Sequence, residues 1–172
     1  MILKSILPVI VVSMLMAFLY SASKKKPKKD ELGNLILQLP KLYSIIGISV
    51  IIGGIGLLVF AFFFANENDK ILASICSLIA IIIGYLLFAK GYISHIKVTD
   101  LGITEMTMFG KQKEIKWNEI RDLSFGKVSL ELKIVSSDKN IKAHMHLVGF
   151  QELVAKLEIK TGKTRTEIGI IE

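Results

Sequence analysis

The sequence has a single cysteine, Cys76, so no disulfide can close within the chain and nothing demands an oxidising compartment. Charge is missing altogether from three stretches, residues 5–23, 43–65 and 71–89, which run 19, 23 and 19 residues without an Asp, Glu, Lys, Arg or His. That absence argues against proton relays, ion pathways and voltage sensing in those stretches, because each needs ionisable groups held in the apolar region. Catalytic constellations are missing too. No Ser/His/Asp or Cys/His arrangement has a supporting context, so no active site is expected. Gly162-Lys163-Thr164 resembles the end of a phosphate loop, but Leu157 stands where its first glycine would be needed. His144 and His146 fall on one side of an alternating run without a third ligand, so no metal is expected and both histidines read as solvent-facing. No enzyme activity and no cofactor are expected.

What the chain has in excess is apolar residues: 52% of its 172, with a mean hydropathy of +0.55. Nineteen to 23 residues at a rise of ~1.5 Å give roughly 28–35 Å of helix, enough to cross a hydrocarbon core of ~30 Å. The pattern predicts three transmembrane helices, with residues 43–91 as a helical hairpin joined by the short loop "NENDK". Residues 1–23 read as an uncleaved first helix, with a signal peptide ending at Ser21-Ala22-Ser23 as the alternative.

The formal charge is +7, and its one strong cluster is "KKKPKK": Lys24, Lys25, Lys26, Lys28 and Lys29. Lysines directly after an apolar run stay in the cytoplasm. This puts the cluster inside, the "NENDK" turn outside, and residues 90–172 inside with Lys90 and Lys97. The five lysines are candidate contacts for anionic headgroups, worth ~1 kcal/mol each near an anionic surface. Within the linker 24–42, Leu32, Leu35, Ile36 and Leu39 follow i, i+3, i+4, i+7 spacing. They predict a short amphipathic helix between Asp30 and Pro40 lying in the headgroup region beside the lysines, with a plain linker packing on the protein as the alternative. Small residues mark helix-packing positions: Ser49, Gly53, Gly54 and Gly56 in the second helix, and Ala80 and Gly84 in the third. They serve either the hairpin itself or a partner helix.

From residue 92 the period changes to alternation. "HIKVTD", "ITEMTM", "KEIKW", "IRDLSF", "SLELKIVS" and "IKAHMH" read as six short strands. Phe150, Leu153, Val154 and Leu157 then mark one face of a helix that Gly162 ends. Trp117, in step with Ile115, is expected at or near the core. Strands followed by one helix make an α+β unit over residues 92–162, an antiparallel sheet closed by a C-terminal helix, with 163–172 as a tail.

The "VTDLGI" hairpin, the "FGK…I.W.EI" run and the closing "GFQELVAKLEIKTG" resemble the bacterial pleckstrin-homology-like domains that follow transmembrane hairpins. The resemblance implies a bent two-sheet barrel plugged by a helix, acting as a binding scaffold and not as an enzyme. Six strands are counted where that family usually has seven. Family members that hold phosphoinositides do so with basic residues in the first hairpin loop. Here that loop reads Asp100-Leu101-Gly102, which favours protein–protein contact or self-association.

The expected function is thus an inner-membrane protein with a cytoplasmic adaptor domain, whose partners are anionic lipid headgroups and a protein bound through the helices or the domain. A small membrane protein of bacterial conflict or defence, of the toxin-immunity type, and an accessory subunit of a larger membrane complex are the alternatives. Residues 90–172 carry fourteen Lys/Arg against eleven Asp/Glu and few aromatics, so nucleic acid is not an expected partner.

Overall fold

A computed structural model of the chain describes residues 25–170 together with Ala17 and Ser21. The expected first transmembrane helix and Lys24 therefore lie outside the described residues. The chain divides into a helical unit and a sheet unit.

The helical unit holds α1 (Leu42–Phe63) and α2 (Glu67–Tyr92). Both are long and apolar enough to cross a membrane, and only 17% and 11% of their apolar windows are buried inside the protein. Core helices of a soluble domain hide far more of their apolar surface than this. The "NENDK" stretch is mostly the first turn of α2, so the connection shrinks to Phe64, Ala65 and Asn66.

The sheet unit contains eight strands among the described residues. Five form one antiparallel sheet in the order β1 (Lys28–Lys29), β2 (Leu35–Gln38), β3 (His95–Val98), β4 (Gly102–Met106), β5 (Gln112–Lys116). Three form a second: β6 (Asp122–Gly126), β7 (Glu131–Val135), β8 (Asn140–His144). The six strands expected from residue 92 onward are all present as β3 to β8.

The expected amphipathic helix is overturned. Leu35–Gln38 is a strand, paired with β3 through Leu35↔Val98, Ile36↔Lys97, Leu37↔Ile96 and Gln38↔His95. The stretch carries two periods at once. Leu35, Leu37 and Leu39 alternate like a strand, while Leu32, Leu35, Ile36 and Leu39 are spaced like a helix. A ten-residue helix is marginal by itself, and a waiting strand edge decides between the two. Burial follows the strand: Leu37 is 0% and Leu39 7% exposed, whereas Leu32 is 84% exposed at the β1–β2 turn. The stretch read as a linker is therefore part of the sheet, and the α1–α2 hairpin is inserted in the chain between two neighbouring strands.

Register arranges the core. Leu35, Val98, Ile103 and Ile115 lie in one cross-strand row, and Leu37, Ile96, Glu105 and Lys113 in the next. In the second sheet Leu132, Ile134, Ile141 and Ala143 are fully buried. α3 (Phe150–Thr161) buries Phe150, Leu153, Val154 and Leu157, the four residues expected from their spacing, and ends at Gly162. The stretch expected as a tail folds back: α4 (Arg165–Ile168) is closed by a Thr164/Glu167 capping box and buries Ile168 to 2% exposure.

Candidate lipid-surface strip and helix seam

The lysine cluster is built into the sheet unit. Lys28 and Lys29 form β1, pairing with Ile36 and Leu35. Just before them, Pro27 sits on Gly149, where an added Cβ would come 2.5 Å from the proline Cβ. Gly149 caps the N-terminus of α3 with φ +88°, a backbone conformation that glycine adopts without strain. Just after them, Asp30 closes the β1–β2 turn. Its Oδ1 accepts the backbone N–H groups of Leu32 at 3.0 Å and Asn34 at 2.8 Å. Its Oδ2 accepts the Asn34 amide at 2.9 Å and the Lys97 ammonium of β3 at 2.7 Å. Lys97, then Asn34, hold the Asp30 carboxyl well below the usual carboxylate range.

Lys25, Lys26, Lys28 and Lys29 are all exposed. None has a carboxylate within ion-pair distance among the described residues. Elsewhere in the sheet unit, Lys97, Lys113, Lys142, Lys156, Lys163 and Arg165 each meet a carboxylate at 2.7–3.9 Å.

In the helical unit the expected small residues divide between two faces. Gly54 and Gly84 lie in the seam between α1 and α2, joined by Gly47, Ser77 and Gly91. A Cβ on Gly47 would come 2.7 Å from the Gly84 carbonyl, one on Gly84 2.9 Å from the Ile51 nitrogen, and one on Gly54 2.8 Å from Ile81. The seam is heptadic on both helices: Gly47, Gly54 and Ala61 on α1, with Ser77, Gly84 and Gly91 on α2, all buried. A seven-residue repeat keeps one narrow face turned toward the partner helix, and small residues there bring the backbones together. Ser49, Gly53 and Gly56 do not take part. Ser49 is exposed, and Gly53 and Gly56 meet nothing within 4 Å. Ala80 is half-buried beside the seam. The apolar faces left over expose, among others, Ile52, Phe62, Ile71 and Leu72 at 63–72%.

Three further features of the sheet unit concern polar groups. Glu105 faces inward, in one row with Ile96 and Leu37. Burial raises its carboxyl above the ordinary value; Oε2 has no hydrogen-bond partner, and the Lys113 ammonium stands 3.6 Å away. The same ammonium donates to the Asn140 carbonyl at 3.3 Å, beside a cleft of about 460 Å³ lined by Gln112, Lys113, Glu114, Asp138, Lys139 and Asn140. β8 ends at His144, and His146 turns inward to 7% exposure, contrary to its expected place on the solvent face. The two imidazoles lie 4.9 Å apart, the His146 backbone N–H donates to His144 Nδ1, and burial lowers the His146 pKa. Trp117 is half-buried at the end of β5, its indole N–H donating to the Thr99 carbonyl at 3.2 Å. Among the described residues no group of three His, Cys, Asp or Glu side chains is arranged to hold a metal.

Comparison with protein-family models, with curated proteins and with solved structures finds no match to this chain.

Proposed function

We propose that this is a multi-pass protein of the bacterial inner membrane that presents a cytoplasmic, pleckstrin-homology-like adaptor domain to a protein partner, without catalysis. Three transmembrane helices anchor it, and its basic strip faces anionic headgroups. The observation that carries this reading is the strand plan. Four main strands, β2 to β5, form one sheet, β6 to β8 form the other, and a helix follows. Leaving aside the two-residue β1 and the short α4, this arrangement supports reading the chain on the seven-strand, one-helix plan of the family that residues 92–162 resemble, with Leu35–Gln38 as the seventh strand. On this reading Asp100-Leu101-Gly102 is the second strand connection of the domain, and the first is the α1–α2 hairpin itself. The place where lipid-binding relatives carry a basic loop is occupied here by two helices fit to enter the bilayer.

Topology reporters test the membrane part. Fused after Asn66 they read periplasmic, and fused after Glu172 they read cytoplasmic; a periplasmic signal at 172 overturns the assignment. Affinity capture of the detergent-solubilised chain tests the adaptor part. A stoichiometric protein partner supports it, and a chain recovered alone and monomeric from native membranes counts against it.

A further inference from the structure

We infer that the basic strip is a headgroup site built by the sheet unit, not a loose run of charge. Lys25 and Lys26 lead into a path, fixed from Pro27 to Asp30, that holds Lys28 and Lys29, and the four lysines bind anionic phospholipid as a set. This rests on the proposed membrane placement and sharpens it. Three fastenings fix the path: β1 pairs with β2, Pro27 is seated on Gly149, and Asp30 is clasped by Lys97 and Asn34. Each fastening belongs to the fold, and none uses a lysine of the strip as an ion-pair partner.

The physical consequence concerns ordering cost. A flexible polybasic segment loses conformational entropy when headgroups gather around it, and its affinity follows charge count alone. A segment already fixed has met that cost in folding, so its lysines bind more tightly than the same charges on a free chain. Holding four uncompensated cations over five positions also concentrates their mutual repulsion, which bound anions relieve. Headgroup affinity therefore depends on residues that carry no charge.

The test uses the full-length protein in phospholipid nanodiscs, with the chain's one tryptophan, Trp117, as energy-transfer donor to dansyl-labelled lipid. The wild type is expected to favour dansyl-phosphatidylglycerol over dansyl-phosphatidylcholine several-fold. Changing Lys25, Lys26, Lys28 and Lys29 to Gln brings the preference close to parity. If it does not, the headgroup placement of these lysines fails. The charge-neutral variants Pro27→Ser and Gly149→Ala decide the present inference. Each is expected to remove more than half of the preference while every lysine stays in place. Pro27→Ser unseats the strip without backbone strain, so it keeps the test sound if Gly149→Ala folds poorly, and the Trp117 emission maximum reports whether the sheet is intact. A preference lost with the lysines but unchanged in a folded Pro27→Ser variant overturns the fold-built site and leaves the lipid contact standing.

Discussion

Gln38, the last residue of β2, pairs in register with His95, the first of β3, although the whole helical hairpin separates them in sequence. The chain thus leaves the sheet unit and re-enters it at one rung of one ladder. Residues before the hairpin and residues after it form a single hydrophobic core, and the first prediction follows from this.

Leu37 is fully buried in that core, while Leu32, five residues earlier, is 84% exposed. Leu37→Ala is expected to destabilise the sheet unit by about 2–5 kcal/mol, the usual cost of emptying a buried leucine site. Leu32→Ala is expected to change stability by less than about 0.5 kcal/mol. Urea titration followed by Trp117 fluorescence measures both. Equal effects would contradict the strand.

The hairpin seam gives the second. Gly47→Val and Gly84→Val place side-chain atoms against backbone on the facing helix, so the helices must separate, at a cost of order 1–3 kcal/mol. Gly53→Val, on a face with nothing within 4 Å, leaves the hairpin as it is. Thermal unfolding of the detergent-solubilised protein, followed by circular dichroism at the helical band, separates the two classes.

Asp30 sets an acid dependence. Its carboxyl is depressed from the ordinary 3.8 by Lys97 and Asn34, so its contribution to stability is fully present above that value. It is lost as the pH falls from there toward the lower folded value. Asp30→Asn is expected to lower the urea midpoint at neutral pH, and the two curves should converge in strong acid. Parallel curves across the whole range would exclude the clasp.

Glu105 has the opposite sign. Burial raises its carboxyl above 4.5, so folding favours the protonated form, and the ionised form costs stability progressively as the pH rises through that range. Glu105→Gln keeps the shape and removes the charge whose Oε2 lacks a hydrogen bond. At neutral pH the variant is expected to be as stable as the wild type or more so, with the difference vanishing below about pH 4 by the linkage argument. A clear loss of stability at pH 7 would mean that the Lys113 pair outweighs the burial cost.

Much of this architecture is legible in the sequence because its signals are long and repeated. The two described apolar helices, the six strands after residue 92 and the buried face of α3 follow from run length, alternation and i, i+3, i+4, i+7 spacing. β2 escapes because its four residues also fit a helix and its partner strand lies beyond the hairpin; pairing across such a distance leaves no local trace. The seam was half visible. Small-xxx-small spacing finds Ala80/Gly84 but also Ser49/Gly53, and small-residue content adds Gly54 together with Gly56, because neither signal can tell a heptad seam from an outer face. Gly47, Gly54 and Ala61, set against Ser77, Gly84 and Gly91, carry the seven-residue signal that separates them. The strip's lysines were plain to see. Its fastenings were not, since the seat of Pro27 on Gly149 joins residues at opposite ends of the chain.

The interruption of β2 and β3 by the hairpin also sets an order of assembly. During synthesis β2 emerges before the helices and has no neighbour on the β3 side until they are complete. If α1 and α2 cross the bilayer as proposed, it gains that neighbour only when both helices bring the chain back to the side it left. On that placement, a hairpin inserted with one helix missing or inverted would leave β3 across the membrane from β2, and the sheet open with Leu37 bare. On the proposed membrane placement, closure of the sheet would thus depend on correct insertion of both helices.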